Sequence, residues 1–318
     1  MSTTNPGATE AGTAAIQAEV LARFMRFRLG LPPALREPLD TMLRRKRYLL
    51  VDPLPDYFGL EATPFMSLPV AIAADLGQGD EAPGDQRMLT AVEAAFTGYL
   101  LIRIHDDFCD EAIGEGPTVL LLATTLQARL AQLLGEIAPG STALLSLQSD
   151  IFTRYADAML HEHQLIHAEG ITTRAALERV LDRYLPMVLP AAAQLFAAGA
   201  DTKVAPLIQA VLHLGASAQL LNDTGDVEAD LERGLRGFVV CRYAPEGDLT
   251  LLRRRLWMED GFKILFEEAA VEAGKAREQA ERAGLGAVAT LFRKREQHVA
   301  GRYDAMFAAI SDSLVRGG

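Results

Sequence analysis

Two stretches of this chain, residues 90–105 and 205–221, are apolar nearly all round a helix. A helix without a polar face cannot lie on a water-exposed surface and has to be wrapped by neighbours. A multi-helix bundle meets that condition, and the rest of the sequence supplies the neighbours. Ala, Leu, Glu, Arg and Gln, the strong helix formers, fill most of the chain. Breaks fall where helix-stopping chemistry is dense: at Gly114, Gly116 and Pro117, at Pro139 and Gly140, and at Gly170, with Thr172 or Thr173 as the next N-cap. Between them the pattern predicts helices over 86–110, 118–137, 141–169, 174–199, 203–230, 249–283 and 286–316, the fourth bent by Pro186 and Pro190. The best strand candidate, Phe238-Val239-Val240-Cys241, is four residues long and no alternating series accompanies it. The expected fold is all-α: a single large helical bundle over 16–318 with a central apolar cavity, preceded by a flexible tail at 1–15.

Charge narrows the partners. The 31 basic and 42 acidic residues give a net charge of −11, which argues against nucleic acid as a ligand. Two cysteines, Cys109 and Cys241, are too few for a disulfide framework or a cysteine-rich zinc site. Residues 1–15 contain neither a basic segment nor an apolar run, so no secretory signal is expected. Candidate apolar stretches such as 180–200, which carries Asp182 and Arg183 and contains Pro186 and Pro190, do not make stable membrane insertion the expectation. A reducing, cytoplasmic setting is the expected location.

In such a bundle the polar clusters carry the information. The first is His105-Asp106-Asp107-Phe108-Cys109-Asp110, at the end of the helix over 86–110. Asp106 and Asp110 are one turn apart and share a face, with Phe108 pointing away. Carboxylates crowded into one turn repel, and the helix dipole adds to the cost at a C-terminus, so a cation should compensate them. Carboxylate oxygens suit Mg²⁺, which also bridges to substrate phosphates. A solvated acidic helix end is the plain alternative, and the apolar run just before the cluster weighs against it. The second cluster is Asn222, Asp226 and Asp230, at i, i+4 and i+8 on one stripe, again directly after a nearly uncharged run. Two oxygen-donor stripes, each at the polar end of a buried helix, suggest the two walls of a metal–diphosphate site over an apolar cavity.

These motifs resemble those of the trans-isoprenyl diphosphate synthase and class I terpene synthase superfamily. Asp106-Asp107-x-x-Asp110 is similar to its first aspartate-rich motif. The run from Gly215 through Gln219 to Asn222-Asp223-x-x-Asp226 is similar to the second motif of the chain-elongating synthases, with its glutamine three residues ahead and Asn222 in place of the first aspartate. The same run also fits the cyclases' N-D-x-x-S/T-x-x-x-E pattern, with Asp226 and Asp230 in the later positions. Arg302-Tyr303, 80 residues after Asn222, resembles the cyclases' C-terminal Arg-Tyr pair. The resemblance covers about residues 55–305. It implies an allylic prenyl diphosphate bound through three Mg²⁺, with Asp106, Asp107, Asp110, Asn222, Asp226 and Asp230 as metal ligands. It also implies Gln219 beside the substrate and Arg302 and Tyr303 as donors to the departing diphosphate. A homodimer is compatible with it.

The branch of the superfamily is read from missing cations. Elongating synthases bind a second, homoallylic diphosphate through basic motifs. Their Gly-Gly-Lys-Arg-x-Arg-Pro segment aligns with 58–64, where Leu60, Glu61 and Thr63 replace the cations. The two arginines after their first motif fall on Ile113 and Gly114, and their Lys-Thr-Ala on Ala191-Ala192-Ala193. Their lysine after the second motif is Leu235, with Arg236 next in the chain as the available substitute. A second diphosphate would lack its counter-charges here, at a cost set by unpaired buried charge. The pattern points to a terpene synthase, a cyclase that ionises one allylic diphosphate and releases a hydrocarbon or alcohol, with chain elongation as the alternative. Ile102 and Leu101, four and five residues before the first motif, are medium-sized rather than aromatic, which favours a geranylgeranyl over a farnesyl chain.

In the expected mechanism Mg²⁺ stabilises the diphosphate as the C–O bond ionises, and the cation folds in a dry cavity. Phe65, Phe96, Tyr99, Phe152, Tyr155, Phe196 and Trp257 are the aromatic residues that could face it, although plain core packing explains each of them. Arg174, Arg179 and Arg183 precede Asn222 by 48, 43 and 39 residues; one of them, with Arg183 as the candidate, is expected to sense the diphosphate, and a solvated face explains them equally. His161, His163 and His167 form no HExxH motif and are set aside. So are an HD-type hydrolase reading of His105-Asp106 and a catalytically inert partner subunit.

Overall fold

Every regular element among the described residues is helical. The computed structural model describes residues 6–45, 64–77, 85–111 and 116–316, and only the backbone at 6–13, 45, 109–111, 116 and 309–316. In chain order the helices are α1 (Pro6–Gly30), α2 (Pro33–Arg45), α3 (Pro64–Asp75), α4 (Gln86–Glu111), α5 (Gly116–Ile137), α6 (Thr142–Gln164) and α7 (Arg174–Val180). There follow α8 (Leu189–Ala197), α9 (Val204–Glu232), α10 (Phe238–Tyr243), α11 (Leu249–Trp257), α12 (Gly261–Arg282) and α13 (Gly286–Arg316). Their ends follow local chemistry. Thr173 Oγ1 accepts the Ala176 N–H at 3.1 Å and caps α7. Asp248 Oδ1 accepts from Thr250 and Leu251 at 2.8 and 3.1 Å and caps α11. Beyond α6 a π-helical turn, Leu165–Glu169, stops at Gly170, whose φ of 84° and ψ of 154° are essentially reserved for glycine.

The all-α expectation holds, and the departures from the predicted helices have physical causes. The helix expected over 174–199 is divided: after α7 the chain tightens into a 3₁₀ helix, Leu181–Val188, and resumes as α8. Pro186 has no N–H for the α-helical ladder. The strand candidate over 238–241 lies in α10. With no neighbouring strand to pair with, its backbone groups are satisfied within the helix. The expected tail is helical from Pro6, where proline occupies the first helical position ahead of an Ala- and Glu-containing run. Residues 1–5, Leu60, Glu61, Thr63, Ile113 and Gly114 lie outside the described residues.

The chain divides into two compact units: Met1–Gln148 with Pro186–Val204, and Ser149–Leu185 with Ala205–Gly318. In the first, α4 is the hub and packs against α1, α3, α5 and α8. Phe24 of α1 meets Phe96 of α4 edge-on at 4.8 Å, and Arg129 of α5 pairs with the buried Glu93 of α4 at 2.5 Å. In the second, α12 lies along α13, and a core including Leu177, Leu220, Val227, Val239, Leu265 and Val299 joins α7, α9, α10, α12 and α13. Glu272 of α12 is its buried junction: His213 of α9 at 2.8 Å, Arg174 of α7 at 3.0 Å and Lys275 at 2.8 Å all converge on it. Burial alone would raise its carboxyl, but hydrogen bonds from His213 and Lys275 and the charge of Arg174 draw it down to about 2.

Residues 117–137 and 201–232 are each long and apolar enough to cross a membrane by length and composition. Of their apolar windows, 39% and 61% respectively are buried inside the protein; the second is mostly buried, as a core helix is.

Gly170 is the position where the turn depends on a missing side chain. A Cβ there would lie 2.5 Å from Cys241 Sγ and 3.1 Å from Arg236 Cβ. Gly170→Ala is expected to cost about 2 kcal/mol or more, from backbone strain plus overlap. Urea melts of the two proteins check this, and a loss under roughly 0.5 kcal/mol would mean the turn relaxes freely.

Candidate active site

The buried length of α4 ends in carboxylates. Asp107 is 7% exposed, and the side chain of Asp106 retains 12%. Arg103, one turn earlier, reaches both: Nη1 donates to Asp106 Oδ2 at 3.1 Å and Nη2 lies 3.9 Å from Asp107 Oδ1. Part of the cation that this cluster demands is therefore built into its own helix. Asp106 Oδ1 is buried and accepts no hydrogen bond. A buried, unpaired carboxylate oxygen carries a penalty of at least about 1–3 kcal/mol, which a bound cation would remove. Burial lowers the His105 pKa against the opposing charge of Asp106, which favours the neutral ring. Phe108 is exposed, as its position off the Asp106 face requires. The backbone of Asp110 continues α4, and its side chain lies outside the described ones.

The second stripe lies on α9. Asn222 and Asp226 are exposed and Asp230 is half-buried, while Leu220, Leu221 and Val227 join the core of the second unit. Between the two faces runs a polar chain that the motif reading missed. Gln219 Nε2 donates to Asp223 Oδ1 at 2.7 Å, and the Tyr184 hydroxyl donates to Gln219 Oε1 at 3.0 Å. Arg183 Nη1 donates to Glu162 Oε2 at 2.6 Å and its guanidinium lies 5.2 Å from the Tyr184 ring centre. Gly215 makes the arrangement fit: a Cβ there would stand 2.7 Å from the Tyr184 ring. Gln219 is thus fixed from both ends of its amide. Asp223 Oδ2 is buried without a partner. Burial first, then the charge of Glu162, pushes the Asp223 carboxyl up to about 7 against the pull of Arg183 and Gln219. Tyr184 could not be found from spacing, because it reaches Gln219 through space; Asp223 was legible as part of the motif.

The other predicted residues find varied surroundings. Arg174 is committed to Glu178 and Glu272, and Arg179 is exposed. Arg236 is half-buried; its N–H donates to Ile166 O at 2.8 Å and its Nη2 to Pro245 O at 3.4 Å. On α13, Tyr303 is half-buried with its ring 4.7 Å from that of Phe307 and 6.3 Å from that of Phe266, whereas Arg302 is exposed. Phe65 and Phe96 are buried in the first unit, Phe96 as core against Phe24, and Tyr99 is half-buried on α4. Ala191, Ala192 and Ala193 are wholly buried in α8. His163 and His167 form an exposed ring pair at 4.6 Å.

Among the described residues no three His, Cys, Asp or Glu side chains gather as a metal cage. The donors on both stripes are oxygens, which suits Mg²⁺, a cation held by one or two carboxylates with waters and substrate phosphates completing its shell. The unpaired Asp106 Oδ1 fits the same role.

This architecture is the trans-isoprenyl diphosphate synthase fold. The geranylgeranyl pyrophosphate synthetase from the archaeon Geoglobus acetivorans matches it with a TM-score of 0.69 and 15% identity, over 91% of this chain and 98% of that one. The geranylgeranyl pyrophosphate synthase from Corynebacterium glutamicum matches at 0.65 and 13% identity, over 94% and 96% of the two chains. Farnesyl pyrophosphate synthase from T. brucei matches at 0.61 and 13% identity, over 90% and 99%. No family model and no curated protein matches the sequence. The likeness is one of fold, and it is the fold that the motifs implied.

Asp223 gives the site a pH signature. Its folded pKa lies above the unfolded value, near 4. Between about pH 4 and 7 the folded state binds more protons than the unfolded one, so stability falls as pH rises through that window and levels off above it. Asp223→Asn is expected to remove this slope and, at pH about 8 in EDTA, to be more stable than wild type by on the order of 1–3 kcal/mol. Urea melts at two pH values check it; an unchanged slope would show that Asp223 ionises freely in the folded protein.

Proposed function

We propose that this protein is an enzyme that binds an allylic prenyl diphosphate through Mg²⁺ and ionises its C–O bond. The observation that carries the reading is the buried, unpaired Oδ1 of Asp106 within an aspartate-rich motif on this fold. Mg²⁺, when bound, neutralises the diphosphate and stabilises the charge that develops on it. The chain's own residues do the rest. Asp106, Asp107 and Asp110 offer oxygens from α4, with Arg103 orienting the first two. On α9, in the second unit, Asn222, Asp226 and Asp230 carry oxygen donors of the same kind. Tyr184 and Asp223 hold the amide of Gln219. Arg302 donates to the departing diphosphate, in hydrogen bonds that strengthen as charge accumulates. Tyr303 contributes a weaker, neutral donor. The apolar faces of the buried helices keep water from the cation.

Chain elongation is the better supported fate of that cation, because the structural neighbours are named as prenyl diphosphate synthases. Release as a terpene hydrocarbon or alcohol is the second reading. It rests on Ala191, Ala192 and Ala193, which put buried methyl groups where the elongating family carries Lys-Thr-Ala, and on Arg236, whose side chain donates to Pro245 O. The deciding experiment incubates the protein and Mg²⁺ with geranyl, farnesyl, geranylgeranyl or geranylfarnesyl diphosphate, with and without isopentenyl diphosphate, and analyses the products by mass spectrometry. A longer prenyl diphosphate formed only with isopentenyl diphosphate is the elongation outcome. A hydrocarbon or alcohol formed without it is the terpene synthase outcome. Failure to consume any of the four would overturn the enzyme reading.

Asp106→Ala and Asn222→Ala are each expected to lower turnover by roughly 10²-fold or more, and Arg302→Ala to lower kcat by about 10²-fold, in line with losing one preorganised donor. Melting temperatures should not fall with the turnover. Wild-type-like turnover in both Asp106→Ala and Asn222→Ala would remove the metal reading.

A further inference from the structure

Two neighbouring stripes of α13 have opposite surroundings. Glu296, Tyr303 and Phe307 face α11 and α12: Arg277 Nε donates to Glu296 at 2.9 Å, Tyr303 packs near Phe266, and the Phe307 ring stands 6.1 Å from that of Trp257. Arg295, His298 and Arg302, at i, i+3 and i+7, form the other stripe. Arg295 is half-buried, and the influences on its guanidinium are burial and the charge of Arg302, both unfavourable. The imidazolium of His298 is disfavoured by burial and by the charges of Arg295 and Arg302. No carboxylate among the described residues pairs with any of the three. The contrast lies within the same unit, where Arg154, Arg183, Arg242, Arg253 and Arg277 each hold a carboxylate at 2.6–2.9 Å. The chain has 42 acidic residues against 31 basic ones. Two guanidiniums and an imidazole left together without a carboxylate partner among the described residues, and one of them half-buried, is a costly arrangement until an anion arrives.

We propose that Arg295, His298 and Arg302 form a diphosphate-binding stripe, with Arg295 a binding residue that the motifs do not mark. The inference rests on the proposed function for the origin of its ligand, which is either the head group of the prenyl substrate or released inorganic diphosphate. Arg295 and Arg302 are two turns apart, a rise of roughly 10 Å that two long side chains close over one ligand. Each presents a planar fork of donors matched to phosphate oxygens. The half-buried position of Arg295 makes its contact less sensitive to salt than that of an exposed arginine.

The test begins with calorimetric titration of inorganic diphosphate into the full chain in EDTA, where the carboxylate motifs have no metal through which to take part. Wild type should bind, and Arg295→Gln and Arg302→Gln should each weaken binding by about tenfold or more. Arg293→Gln on the same helix, whose arginine is paired with Glu281 at 3.0 Å, should bind like wild type. Arg295→Gln should melt no lower than wild type in EDTA, because it removes a cation without a partner; a lower melting point would reveal a structural partner and overturn the proposal. Turnover in Mg²⁺ separates the sources. A raised KM for prenyl diphosphate in Arg295→Gln marks the substrate head group, and weakened product inhibition at unchanged KM marks released diphosphate. No binding by wild type, or undiminished binding by Arg295→Gln, overturns the stripe and leaves the proposed function standing. Metal-free diphosphate binding that depends on Arg295, with no turnover of any prenyl diphosphate, supports the stripe and removes the proposed function.

Discussion

Burial of α4 and α9 along most of their length is the constraint on which the rest depends. Each helix gives up its polar face to the core of its unit, and each ends in oxygen donors that the core cannot absorb. The cost of those donors is met locally where it can be. Arg103 bridges Asp106 and Asp107, and Gln219 serves Asp223. Among the carboxylates at these helix ends Asp106 Oδ1 and Asp223 Oδ2 stay unmet, as do Ser217 Oγ further back on α9 and, elsewhere, Arg129 Nε and the Gln194 amide. Buried polar atoms without partners are rare enough that each calls for a chemical reason.

The helices were legible because apolar residues recur at a period that nothing but a helix satisfies, and because glycine, proline and Thr173 punctuate them where the structure begins and ends them. The strand candidate failed for the complementary reason. Val239 and Val240 favour strands only when a neighbouring strand exists to receive them, and here they are wholly buried in a short helix. The two-unit division was invisible because its crossings fall at Gln148 within α6, at Leu185 within the 3₁₀ helix and at the start of α9, where composition does not change. At the site, the residue types and spacing of both acidic motifs could be read from sequence. The Arg103 bridge could have been, since it needs only i+3 and i+4 spacing. The seating of Tyr184 on Gly215 could not, because it joins residues 31 positions apart through shape alone.

Function divides from fold at a handful of atoms. The fold is shared with enzymes named as prenyl pyrophosphate synthases at only 13–15% identity, so the fold persists where most side chains differ. Alanine at 191–193 preserves α8 and its packing, since alanine is the best helix former and fills a tight interface. It does so without offering a charge. Helix geometry and side-chain chemistry are therefore separable at these positions.

The threading of the chain through both units has a consequence for its synthesis. Residues 1–148 leave the ribosome before α8, the segment whose residues Leu189 to Leu195 are all buried and which packs against α3, α4 and α5. Until it emerges, the first unit is a socket without its plug, and the apolar flanks of α4 remain uncovered. The intervening segment, 149–185, is equally stranded, since the helices that complete its own unit come later still. The first unit can close only once residue 204 has emerged and the second only at the end of the chain, so a nascent chain of this kind carries exposed hydrophobic surface through much of its translation, the condition under which chaperones are recruited and truncated products aggregate.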